Sequence, residues 1–265
     1  MKKKLISHEV PLSMLKESLE FNDYQYCLVH LLEKEPKYLA HFQRCIKNGV
    51  PVLLDNSLFE LGTAFSPTRF SNWIKELQPD EYIIPDAFDD MQTTRMNAAK
   101  WMEDYADLPG KKIGVVQGKD YNQYVACYKT LDNLGVDKIA ISFGYPSYTR
   151  ENPYTDKNQA RMFGRVTLIN RLLKDGVINT DKPHHLLGAG LPQEFMFYKD
   201  EKFDFIESLD TSSPIVHGMK GIKYDEGGLI YKEEEKLADL IDAKVTASQS
   251  KIIKSNISKF RKFVN

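Results

Sequence analysis

At 265 residues the chain has room for one large α/β domain and little left for a second. Its 36 Lys and Arg against 37 Asp and Glu leave a net charge of −1, which excludes a global basic field for nucleic acid but not a local basic face. Apolar residues make up 42%, enough for an ordinary core, and the longest apolar stretches are strand-length, well short of the roughly 20 residues of a membrane span.

In chain order, eight short apolar runs predict strands, and helix-like segments fill every gap. Lys4–Ser7 comes first, followed by Pro11–Phe21, which carries Pro in its first turn. The second run, Tyr26–Leu31, precedes a helix over Tyr38–Lys47 that stops at Asn48-Gly49. The third, Pro51–Leu54, leads to Ser66-Pro67-Thr68, which opens Thr68–Leu77 with Phe70, Trp73, Ile74 and Leu77 on one face. Tyr82–Pro85 and Ile113–Val116 follow, with Thr93–Tyr105 helical between them and Pro109-Gly110 punctuating the chain before the fifth run. Tyr121–Leu134 reads as a helix that stops at Gly135, ahead of the sixth run, Lys138–Ser142.

The longest gap, Tyr145–Pro183, holds a polar loop over Pro146–Lys157 and a helix near Gln159–Lys174. Long loops after such strands commonly cover an active site, so this one is expected to form a lid or lip. His184–Ala189 and Phe203–Leu209 complete the set, and an irregular stretch, Thr211–Tyr231, follows. The tail, Glu233–Asn265, reads as helical. In it Lys251, Lys254, Lys259, Arg261 and Lys262 are spaced around Ile252, Ile253, Ile257, Phe260 and Phe263. That pattern predicts a closing amphipathic helix, with a phosphate-backbone contact as the sharper alternative.

A βα pair repeated eight times is the signature of a closed parallel barrel, here a single-domain (β/α)8 TIM barrel, whose chemistry sits where strands end. Met1-Lys2-Lys3-Lys4 resembles the start of a signal peptide, but no adequate apolar stretch follows, so a soluble cytoplasmic protein is expected. Cys27, Cys45 and Cys127 are widely separated, and His8, His30, His41, His184, His185 and His217 form no metal-binding pattern. The expectation is therefore no disulfide framework, no metal site and no cofactor.

A strand-end Asp taken alone is most often a cap for the next helix. As a set, Asp55, Asp86, Gln117, Gly144, Gly188 and Asp210 all fall at or near the ends of predicted strands, on one rim. A mouth lined by carboxylates, an amide and glycine-exposed backbone suits a small polar ligand with several hydrogen-bond donors, such as a purine-like base. Two opposed carboxylates also suit glycosidic chemistry, one attacking the anomeric carbon while the other moves protons.

The order of motifs from about Val50 to Pro214 resembles the tRNA-guanine transglycosylase superfamily. Ile113-Gly114-Val115-Val116-Gln117-Gly118 is similar to that family's Gly-Ile-Val-Gln-Gly strand. Leu186-Leu187-Gly188-Ala189-Gly190-Leu191-Pro192 is similar to its Leu-Met-Gly-Val-Gly-x-Pro turn. Asp55-Asn56-Ser57-Leu58-Phe59-Glu60 stands where the family has Asp-Ser-Gly-Gly-(Phe/Tyr)-Gln, and Ser208-Leu209-Asp210-Thr211 where it has Phe-Asp-Cys. The resemblance implies Asp210 as nucleophile, Asp55 as general acid/base and Phe59 as a base-stacking aromatic. It further implies that Asp86, Gln117 and Gly118 read the base edge, that Ser142 and Gly144 offer backbone groups, and that Leu187 and Gly188 close the opposite face.

The departures point within that family. No Cys follows Cys127, so the zinc motif is missing; Ser212-Ser213-Pro214-Ile215 replaces a Pro-Thr-Arg stretch; and Ser57-Leu58 replaces Gly-Gly, which narrows the pocket. A short zinc-free chain resembles most the branch that places 7-deazaguanines, such as 7-cyano-7-deazaguanine, in bacterial or phage DNA, with host cytoplasm as the location if phage-encoded. The leading expectation is a glycosyltransferase that exchanges guanine in DNA through a covalent Asp-sugar intermediate, with or without a partner protein. Its rivals are exchange on tRNA, a non-catalytic barrel that binds modified nucleic acid or a free base, and an unrelated barrel enzyme such as a lyase or aldolase of a small metabolite.

Overall fold

Eight parallel strands form the sheet: β1 Leu5–Ser7, β2 Gln25–Leu28, β3 Val52–Asp55, β4 Glu81–Ile83, β5 Lys111–Val115, β6 Lys138–Ser142, β7 His184–Leu187 and β8 Ile206–Asp210. The computed structural model describes residues 2–151, 153–233 and 237–265. Met1, Asn152 of the expected loop and Glu234, Glu235 and Lys236 of the expected tail lie outside the described residues. The strands are ordered β1-β8-β7-β6-β5-β4-β3-β2, each parallel to its neighbour, so the sheet closes on itself except at the seam between β1 and β2. Asp23 bridges that seam: its backbone N–H donates to Ile6 O, and its carboxylate accepts from the Ile6 N–H, both at 2.9 Å. This is the (β/α)8 barrel read from the sequence.

The helices follow the same local rules that predicted them. Pro opens Pro36–Lys47 and Pro67–Leu77, where its missing N–H removes one orphan donor and its fixed φ suits a first turn. Asp90, Asp120 and Asp156 cap Met91–Asp104, Tyr121–Asn133 and Lys157–Lys174 by accepting from backbone N–H groups three residues on. Between helices and sheet, Phe70, Tyr82 and Trp101 pack ring against ring, and each is at most 2% exposed.

Three local readings are corrected. The run Tyr26–Leu31 is a strand only to Leu28; Val29–Lys34 is helical, because a short apolar run cannot by itself distinguish a strand from a buried helix. Phe203 ends a short 3-10 turn, Glu201–Phe203, ahead of β8. The expected loop Pro146–Lys157 and the irregular stretch Thr211–Tyr231 each contain a helix, Pro146–Arg150 and Ser213–Met219.

The tail closes the molecule through the helix Ala247–Val264, opened by a reciprocal capping box between Thr246 and Gln249. Ile253, Ile257, Phe260 and Val264 are buried, while three of the basic residues pair within the chain: Lys254 with Glu20 at 3.4 Å, Lys259 with Glu226 at 2.9 Å and Arg261 with Asp23 at 2.9 Å. The packed amphipathic helix is the reading that holds. No helix among the described residues is long and apolar enough to cross a membrane.

Candidate functional site

Side chains alternate across a strand, so every second residue of a barrel strand points inward. Tyr26 and Leu28, Ile83, Val115, Ser142, Leu187 and Asp210 obey that rule and line a cavity of about 630 Å³ at the C-terminal ends of the strands. Asp55, Asp86, Gln117, Phe59, Gly144 and Gly188 line it too, so nine of the ten residues singled out in the sequence for the base-exchange site meet at one mouth. Gly118 does not. It faces the following helix, where an added Cβ would stand 2.8 Å from the Cβ of Gln123, so its role is close packing rather than ligand contact.

The two strand-end carboxylates are held in different ways. Asp55 accepts from the Tyr26 hydroxyl at 2.7 Å and from the Ser57 N–H. Burial, with the charge of Glu60 adding to it, pushes its pKa well above the ordinary carboxylate value, against the opposing pull of those two donors. Asp210 Oδ1 accepts from the Gly188 N–H and from His185 Nε2, both at 2.9 Å. Gly188 adopts φ +67°, a left-handed conformation that suits glycine, to aim that N–H at the carboxylate. The Tyr26 and His185 rings lie nearly parallel, centroids 6.5 Å apart, so the partners of the two carboxyls stack against each other.

His185 is the visible end of a chain that rises through the barrel. Lys138, fully buried at the start of β6, pairs with Glu81 at 2.7 Å and with Glu207, and its ammonium reaches Ser208 Oγ at 3.5 Å. Ser208 Oγ lies 2.9 Å from His185 Nδ1. A register shift makes this alignment: His184 stands opposite Ile206 but His185 opposite Ser208, leaving Glu207 as the extra residue of a bulge. Lys138 can only donate and the Asp210 carboxylate only accept, so the bonds run Lys138 to Ser208 to His185 to Asp210, with the imidazole proton on Nε2. Proton–nitrogen correlation NMR should show that tautomer in the wild type, and Ser208→Ala should lose the preference. An Nδ1–H tautomer in the wild type would reverse the Ser208–His185 bond and leave the ring with no proton to donate to Asp210.

Asp86 and Gln117 bind each other. Gln117 Nε2 donates to Asp86 Oδ2 at 2.7 Å, Asn56 Nδ2 to Asp86 Oδ1 at 2.8 Å, and Gln117 Oε1 accepts from the Asp89 N–H at 3.2 Å. Burial raises the Asp86 carboxyl to about 6, the two amide donors opposing it. Phe59 is 59% exposed at the rim, edge-on to Phe88 with ring centroids 6.4 Å apart, an apolar lip rather than a closed stacking wall.

Several lining residues escaped the sequence reading. Glu9 stands two residues beyond β1, and the same strand-end logic applied to that strand finds it. Burial, then the charges of Asp210, Glu60 and Asp55, raise its pKa well above the usual range. Lys232, Asn158 and Arg161 also reach the cavity, the first from the stretch after β8 and the others from the first turns of Lys157–Lys174. Lys157, at the end of the expected lid, lines it as well. Among the described residues no group of three or more His, Cys, Asp or Glu is arranged to hold a metal ion.

No family model and no curated protein matches the sequence. Among solved structures, the barrel is similar to a protein from Aquifex aeolicus VF5, at TM-score 0.52 and 11% identity over 100% of this chain and 94% of that one. A phosphoenolpyruvate phosphomutase from Streptomyces platensis subsp. rosaceus aligns at TM-score 0.49 and 9% identity, over 83% of this chain and 79% of that one. A 2,3-dimethylmalate lyase of the PEP mutase/isocitrate lyase superfamily aligns at TM-score 0.46 and 12% identity, over 83% and 78%. Identities this low carry the fold alone.

The resemblance to tRNA-guanine transglycosylases is therefore corrected: no family model and no curated protein supports the motif matches. The guanine exchange, its DNA and tRNA forms, the 7-deazaguanine ligand and the non-catalytic barrel that would bind it fall with the resemblance. The matched blocks have a local physical origin. The Gln-Gly serves Asp86 and the packing of Gln123, and the Gly-x-Gly turn supplies the left-handed Gly188, needs that any barrel with a polar mouth can share.

Proposed function

We propose that the protein is an enzyme that moves protons on a small polar metabolite at the barrel mouth, in an elimination or isomerisation of lyase type. Asp210, oriented by His185 and Gly188, is the base; Asp55, whose carboxyl burial pushes toward the neutral form, is the acid. The observation that carries this reading is the opposed environment of the two carboxyls, one given donors suited to a carboxylate and the other pushed toward its neutral form. Asp86, fixed between Asn56 and Gln117, presents a rigid acceptor edge for the substrate's donors. The apolar Ile83, Val115 and Leu187 below it exclude water from the reacting atoms.

Proton NMR in deuterated water tests the proposal directly. The purified chain is incubated with a panel of small hydroxy, keto and amino compounds, with and without carboxylate or phosphate groups. At least one compound should convert or exchange a carbon-bound proton, and Asp210→Asn should abolish that change. A panel without any such compound, or exchange that survives both Asp210→Asn and Asp55→Asn, overturns the reading.

A further inference from the structure

Among the described residues the Tyr26 hydroxyl has one hydrogen-bond partner, Asp55 Oδ2 at 2.7 Å, and both side chains line the cavity. The other carboxyl oxygen, Oδ1, accepts from the Ser57 N–H. That N–H cannot turn. Ser57 is held in a left-handed conformation, φ +59°, and its hydroxyl lies 2.8 Å from His30 Nδ1. We propose that Tyr26 is a catalytic residue, the group that hands the Asp55 proton on to an oxygen of the substrate. The assignment rests on the reading of Asp55 as the acid, and it adds a substrate class: a carbonyl compound, or an alcohol whose oxygen departs.

A neutral carboxyl has one carbonyl oxygen, the stronger acceptor, and one hydroxyl. The fixed Ser57 N–H claims the carbonyl, so Oδ1 stays an acceptor and the acid hydrogen belongs on Oδ2. There it points at Tyr26 Oη, and two hydrogens cannot share that 2.7 Å gap. The phenol O–H rotates about its C–O bond, so it is the one to give way. Asp55 then donates to Tyr26, and the Tyr26 hydrogen turns to the cavity that its side chain lines. Protonation of Asp55 thus converts Tyr26 from a partner of the carboxylate into a donor for a ligand.

In the reaction Asp210 takes a carbon-bound proton, and the electrons of that bond are carried to the substrate oxygen as an enol forms or a C–O bond breaks. Tyr26 Oη–H passes its proton to that oxygen while Asp55 Oδ2–H passes its own to Tyr26 Oη. The substrate oxygen gains a hydrogen, Tyr26 ends as a phenol, Asp55 as a carboxylate and Asp210 as a neutral acid. The two transfers move together because a bare phenolate is costly at this place. Burial, then the charges of Asp55, Asp210 and Glu9, hold the Tyr26 pKa well above its ordinary value.

Carbon-13 NMR of the full-length protein, read at the Tyr26 Cζ and the Asp55 Cγ across a pH titration, tests the reversal without any substrate. The Tyr26 signal should step at the Asp55 midpoint, which should lie above the ordinary carboxylate range. Below that midpoint it should approach the signal of Asp55→Asn, where the amide N–H donates to Tyr26 as the neutral acid does, and the variant itself should show no step. That control separates Asp55 from Glu60, Asp86, Asp210 and Glu9, the other carboxyls whose charges act on the pair. Tyr26→Phe keeps the ring that lies against His185. It should raise the Asp55 midpoint, because the carboxylate loses a donor, and lower conversion of a responsive panel compound about 10²-fold. A Tyr26 signal that ignores a raised Asp55 midpoint, or full turnover in Tyr26→Phe, overturns the role of Tyr26 and leaves the acid–base pair standing. An Asp55 midpoint in the ordinary carboxylate range removes the acid, and the role of Tyr26 with it.

Discussion

Arg165→Ala is expected to destabilise the fold by about 3–5 kcal/mol, the usual loss when one member of a buried ion pair is removed. Arg165 and Glu194 are both fully buried and meet twice, Nε to Oε1 at 2.7 Å and Nη2 to Oε2 at 3.0 Å. The remaining donor, Nη1, reaches the Gly188 and Leu187 carbonyls at 2.9 and 3.2 Å. The side chain thus ties the helix Lys157–Lys174 to the end of β7. Among the described residues, truncation leaves the Glu194 carboxylate buried with only the Tyr198 hydroxyl as donor; the Gly188 carbonyl, in the turn that serves Asp210, loses its side-chain donor, while Leu187 O keeps the Phe143 N–H at 2.9 Å. A double-mutant cycle with Glu194→Leu, read by urea unfolding, should recover part of the loss, because the uncompensated charge disappears with its partner. If Arg165→Ala and Glu194→Leu add without coupling, the pair is not a unit and its orientation of the Gly188 turn has another source.

The barrel was legible because its signals are local. Caps, N-terminal prolines and strand-length apolar runs each depend on a few adjacent residues, and they agree along the whole chain. The placement of Asp55, Asp86, Gln117 and Asp210 at one rim followed from topology, since in a parallel barrel all strand ends that lead into helices share a face. What these residues do to one another was not legible. Asp86 and Gln117 lie 31 positions apart, and only tertiary structure shows that the amide donates to the carboxylate.

His185 escaped notice for a different reason. Its neighbours in sequence carry no metal or nucleophile pattern, and its meaning comes from a bulge in β8 that aligns it with Ser208. Lys232 follows an irregular stretch with no periodicity to read, so nothing in the sequence announces that it turns into the mouth. The error over family had the same root. Short strand-end blocks do not make a lineage, because a polar barrel mouth can use acidic, amide and glycine residues at those positions for many chemistries.

The two carboxyls should separate cleanly when each is replaced by its amide. In Asp210→Asn the side-chain oxygen can still accept from Gly188 and His185, so the fold is retained while the base is lost, and turnover should fall about 10³-fold. Asp55→Asn should lower turnover by a similar factor, about 10²–10⁴, through loss of the acid. Stability should move the other way. The folded-state pKa of Asp55 stands well above its unfolded value of about 3.9, so its contribution is fully present below that pH and is lost as pH rises toward the folded pKa. The amide has no proton to lose, and its two ends can still meet the Tyr26 hydroxyl and the Ser57 N–H. Asp55→Asn should therefore match or exceed the wild type in unfolding free energy at pH 7, with the advantage closing below about pH 4. Equal pH profiles for the two proteins would show that Asp55 titrates normally, and would remove the acid from the proposed pair without any substrate being needed to find out.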